Sequence, residues 1–120
     1  MCIINAKPVK AKEVKAYRVY QKIDRVLVSC FGKWRKHDTG RWEWALTGWP
    51  FECQWHGWTS LKNAQKCRRE LTRDRGSKIT SFVIYDVRLR GNIKRGAWSN
   101  ETSMSQYTAD ECKIIRRVKK

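Results

Sequence analysis

Ile79-Thr80-Ser81-Phe82-Val83-Ile84-Tyr85-Asp86-Val87-Arg88-Leu89-Arg90 is rich in β-branched and aromatic residues and reads as one long strand. Its odd positions, Ile79, Val83, Tyr85, Val87 and Leu89, make an apolar face that should meet the core. Its even positions run from Phe82 and Ile84 through Asp86 to Arg88 and Arg90. That second face offers a ring, then a carboxylate, then two guanidinium groups. Gly91-Asn92 ends the strand.

The elements around this strand follow from pattern. Upstream, Thr59-Ser60 supplies a capping hydroxyl, Leu61, Ala64, Cys67 and Leu71 form one helical stripe, and Gly76 is a natural stop. Lys62, Lys66, Arg69 and Arg73 cover the outer face of that helix, which is either a solvated surface or a track for a phosphate backbone. Further upstream, Ala16 to Phe31 alternates around Asp24-Arg25 and predicts a hairpin. Residues 1–15, with Pro8 and four lysines, read as an N-terminal arm. Downstream, Ile93-Lys94-Arg95-Gly96 is a basic segment, 97–108 reads as a Ser/Thr-rich loop, and Cys112 to Val118 as a last strand. The prediction is a single domain over 1–120, of α+β class, with an antiparallel sheet and one or two short helices.

Six tryptophans, Trp34, Trp42, Trp44, Trp49, Trp55 and Trp58, fall between the hairpin and the helix. A small domain poor in Leu and Ile must build its core from rings, so at least four of these six are expected in the core or at subunit contacts. Trp42 and Trp44 share one face of a short strand after Gly40. Trp55-His56-Gly57-Trp58 is expected to hold a brief extended piece.

Charge sets the class of partner. The chain has 27 Lys and Arg against 11 Asp and Glu, a formal net charge of +16, together with 7 Trp. Cations seek an anion and indoles seek a flat ring, so the pair points to a nucleotide or a nucleic acid. No run of 18 apolar residues exists for a membrane span, and the start of the chain is too short and too basic for a signal peptide, so cytoplasm is the expected compartment. The five cysteines, Cys2, Cys30, Cys53, Cys67 and Cys112, lack paired spacing, and Cys53 with His56 is only half a metal site. Reduced, packed thiols are expected, with no metal and no cofactor. His37 and His56 sit in no nucleophile or metal motif and no carboxylate pair is favoured by spacing, so a binding role is expected over an enzymatic one, with no catalytic residues.

On Phe82, Asn92, Arg88 and Arg90 two readings stand side by side. A ring can stack on adenine, an amide can fix a base edge or ribose, and arginines can fork onto phosphate. The plainer alternatives are a half-buried sheet residue at Phe82 and a turn residue at Asn92. Ten residues of straight strand would separate these two by about 33 Å, so a shared site needs a chain that folds back or a symmetric dimer.

The Met-Cys start, the early hairpin, Gly40-Arg41-Trp42, Trp55-His56-Gly57-Trp58 ahead of a short helix, and Ser81 through Ile93 together resemble the phage Thoeris anti-defence proteins of the first type. The resemblance implies a sponge that binds cyclic ADP-ribose isomers without cleaving them, in the cytoplasm of the infected bacterial host. It implies a homodimer or hexamer with pockets at the dimer interface, and some members hold cyclic oligonucleotides at a separate site. Phe82 and Asn92 match the pocket aromatic and asparagine of that family, and Arg90 and Arg116 are the phosphate-contacting candidates. The alternative is a basic single-stranded nucleic-acid binder that uses exposed tryptophans of the 40–58 region.

Overall fold

The computed structural model describes residues 4–23, 26–29, 39–44, 55–75, 80–98 and 101–119. Its strands are β1 (Ile4–Pro8), β2 (Glu13–Ile23), β3 (Val26–Ser29), β4 (Trp42–Trp44), β5 (Trp55–Trp58), β6 (Thr80–Arg90), β7 (Lys94–Trp98), β8 (Glu101–Ala109) and β9 (Glu111–Val118), with one helix, α1 (Leu61–Arg75). The described residues are therefore mostly antiparallel β-sheet with a single helix packed on it. The strands run β1-β7-β8-β5-β2-β6-β9-β4, and β3 also pairs with β2. Every strand pair is antiparallel, and Thr39 adds one parallel bridge to Ile114.

β6 holds the sheet together because it is paired along its whole length on one edge and over its second half on the other. All eleven of its residues register with β2, from Thr80↔Ile23 to Arg90↔Glu13, and the stretch from Ile84 to Arg90 registers with β9. The described part of the odd face behaves as its pattern predicts: Val83, Val87 and Leu89 are buried in one core with Ala16, Tyr20, Trp55, Cys112 and Ile114, and Tyr85 packs against it half-buried, while Ile79 lies outside the described residues. Gly57 lets β5 approach this core. A Cβ there would lie 2.7 Å from the Ala16 Cβ and 3.2 Å from Leu89 Cδ1. Gly57→Ala is accordingly expected to lose roughly 1–3 kcal/mol by overpacking, read as a lowered thermal midpoint.

The even face is split. α1 covers its first half, where Phe82 and Ile84 pack with Val19, Trp58, Ala64, Cys67, Leu71 and Met104 in a second core. Ala64, Cys67 and Leu71 are the buried helix positions, as the stripe requires, and Ser60 Oγ accepts the Asn63 backbone N–H at 3.3 Å. Lys62, Arg69 and Arg73 are exposed on the outer side of the helix, with Lys66 partly so. The second half of the even face, from Asp86 to Arg90, carries the charges.

Burial raises the thiols of both described cysteines, Cys67 to about 11, and holds the Tyr20 hydroxyl well above its usual range. In the unfolded chain these groups release protons first. The stability that Cys67 contributes is complete below about pH 9 and is lost as pH rises through about 11, so denaturation midpoints should fall across that window.

The structure revises two readings of the chain. The 1–15 arm is partly sheet, because Ile4–Pro8 pairs with β7 as the terminal strand of the described order and Glu13–Lys15 extends β2. The described part of the Ser/Thr-rich 97–108 segment is strand, with 97–98 ending β7 and 101–108 in β8: Met104, Gln106 and Thr108 alternate inward, and Ser and Thr sit comfortably in such a ladder. The tryptophans divide. Trp55 and Trp58 are core, Trp42 is half-buried, Trp44 is 66% exposed, and Trp34 and Trp49 lie outside the described residues. The hairpin is as read from the pattern over the described residues, with Ile23↔Val26 leaving two residues between the strands, while Cys30 and Phe31 lie outside the described residues.

Candidate functional site

Cross-strand partners point their side chains to the same face, so register defines what the Asp86 to Arg90 half, left uncovered by the described helix and strands, presents. Across it, Lys15 pairs with Arg88, Tyr17 with Asp86 and Glu13 with Arg90 on the β2 side. On the other side Arg116 pairs with Asp86, Lys113 with Arg88 and Glu111 with Arg90, and β4 adds Trp42 opposite Lys113 and Trp44 opposite Glu111. Four strands at about 4.8 Å spacing and a five-residue length at about 3.3 Å per residue make a platform of roughly 14 by 13 Å.

Two arrangements occupy this platform. At its inner end Asp86, 3% exposed, is the common anchor of three cations. Arg88 Nη1 donates to Asp86 Oδ1 and also to the Val87 carbonyl, while Lys15 Nζ stands 3.8 Å and Arg116 Nε 3.9 Å from Asp86 Oδ2. Three positive charges against one negative leave an excess of two. Arg116 keeps most of its surface in water, with its side chain 77% exposed, so its link to Asp86 contributes little to folding and leaves it available to an anion. At the outer end Arg90 forks onto Glu111, with Nε and Nη2 donating at 2.8 and 3.1 Å, and its guanidinium lies 3.9 Å over the Trp42 ring. The Glu111 hydrogen bond raises the Arg90 pKa, so its charge persists at any working pH. Trp44, two residues along β4, offers an exposed indole beside this stack.

The residues singled out by sequence end up in different places. Phe82, expected to present its ring to a ligand, is 6% exposed in the core beneath α1, with Arg75 capping it at 5.6 Å. Asn92 is the turn residue of its plainer reading. It adopts φ 46°, beside Gly91 at φ 83°, and its Nδ2 donates to Asp110 Oδ2 at 2.8 Å. Phe82 and Arg90 stand eight residue steps apart along β6, about 26 Å, so one chain does not bring ring and amide together. Arg90 and Arg116 do share the uncovered face, though the first is already committed to Glu111. Lys15, Lys113 and the anchor role of Asp86 were missed. Lys15 belonged to a segment read as an arm, and only the register of β2 on β6 places it.

Among the described residues no group of three or more His, Cys, Asp and Glu forms a metal-type cluster, and no helix is long and apolar enough to cross a membrane. Cys53 of the half-site Cys53/His56 lies outside the described residues. No family model, curated protein or solved structure matches this chain.

Proposed function

We propose that the protein binds single-stranded nucleic acid on the uncovered half of its sheet, and binds it without transforming it. The observation that carries this reading is the juxtaposition of the Lys15–Arg88–Arg116 cluster with an exposed indole, Trp44, on one open face. The cations track phosphates, and the exposed ring takes a base, a contact worth about 1–3 kcal/mol. A duplex hides the faces of its bases, so a single strand is the better partner for Trp44. The net charge of +16 adds long-range attraction to any polyanion.

A cyclic ADP-ribose isomer also combines phosphate with adenine, and it is the competing ligand in the test. A pocket for it built on Phe82 and Asn92 would require a second copy of the chain and an opened α1. In fluorescence anisotropy titrations, single-stranded oligonucleotides should bind with a slope of log affinity against log salt near −2, from three neutralised phosphate charges at about −0.7 each. The strand should be recovered intact. Binding of a cyclic ADP-ribose isomer that is tight and salt-insensitive, with no measurable affinity for oligonucleotides, would replace this reading with the messenger sponge.

A further inference from the structure

The Asp86 cluster differs from an ordinary basic patch in its charge balance and its rigidity. An internal phosphodiester carries one negative charge, whereas a terminal phosphomonoester carries about −1.5 to −2 at pH 7. The cluster holds three cations within 4 Å of a single buried carboxylate and so has two charges to neutralise. Asp86 also sets their geometry. It is buried in the sheet at 3% exposure, pulls Arg88 flat against the strand, and draws Lys15 and Arg116 in from the flanking strands. The guanidinium of Arg116 and the ammonium of Lys15 remain largely in water at 77% and 50% side-chain exposure, so both retain donors for an incoming oxygen.

We infer that this cluster is an end-recognition subsite, which takes the terminal phosphate of a single strand while the following nucleotides cross β6 and β9 toward Trp44. This rests on the proposed function and adds to it a preference among strands. An end phosphate has three unesterified oxygens to share among three cations, and a diester has two. The dianion matches the local excess, and an internal phosphate leaves one charge uncompensated.

The test compares short single-stranded oligonucleotides of one sequence with a 5′-phosphate, a 3′-phosphate or hydroxyls at both ends, by anisotropy at fixed salt. A terminal phosphate at one end should strengthen binding about tenfold. That gain should shrink to twofold or less in Arg116→Ala and in Lys15→Ala, both at exposed side chains that leave folding intact. It should survive in Lys62→Ala and Arg69→Ala on the outer side of α1. Equal affinity for all three strands would overturn the end subsite while leaving single-strand binding in place. So would a gain that persists in Arg116→Ala and Lys15→Ala, because it would then reflect only the overall charge. Failure of every strand to bind would overturn both readings together.

Discussion

Phe82→Ala should cost about 3–5 kcal/mol of folding stability, a large share of what a domain of this size possesses. The ring is 6% exposed and packs with Val19, Trp58, Ala64, Cys67, Leu71, Ile84 and Met104, so truncation removes buried area and leaves a void where α1 meets the sheet. α1 cannot collapse into the void freely, because its stripe is already seated on Ile84 and Trp58. Urea denaturation measures the cost directly. Under conditions where the variant stays folded, its affinity for a single strand should match that of the parent protein, because the ring does not reach the uncovered half of the sheet. Normal stability combined with loss of ligand would instead make Phe82 a binding ring and restore the messenger-pocket reading.

The second large effect concerns binding. Arg88→Gln with Arg116→Gln should weaken single-strand affinity about 100-fold, from two lost charge-assisted contacts at roughly 1.5 kcal/mol each. Gln keeps a donor for Asp86, so the platform retains its shape while losing two positive charges. The salt slope should fall by about 1.4, at 0.7 per phosphate contact removed. The matched control is Arg69→Gln with Arg73→Gln, which removes the same charge from the exposed side of α1 and should cost no more than about threefold. Equal losses in the two double variants would mean that the protein attracts polyanions through net charge alone.

The legible part of the fold was the part written in periodicity. The β6 pattern, the α1 stripe and the hairpin around Asp24-Arg25 each repeat with the spacing of their element, and the structure places them accordingly. Periodicity did not reveal that β6 changes character midway. Phe82 and Ile84 are apolar on the even face, and an amphipathic helix just upstream needs such a surface, so a signal for the covering helix was present in the pairing of those two facts. Taken alone, the even face looked uniformly available. The Asp86 cluster was illegible for another reason. Lys15, Arg88 and Arg116 are scattered through the chain and meet only through the registers of β2 and β9 on β6, and the β9 register shifts between Asp86 and Val87, where Ile115 is passed over, in a way that no local pattern marks. Asn92 was ambiguous by chemistry, since one amide serves equally well in a left-handed turn and against a base. Its φ of 46° and its bond to Asp110 place it in the turn of the single chain.

Backbone amide chemical-shift mapping during titration with a short single strand tests the central proposition most directly. The expected perturbations lie on Glu13–Tyr17 of β2, Asp86–Arg90 of β6, Glu111–Arg116 of β9 and Trp42–Trp44 of β4, with the indole N–H of Trp44 among the most affected. Shifts confined to the outer side of α1, around Lys62, Arg69 and Arg73, with the platform unmoved, would contradict it.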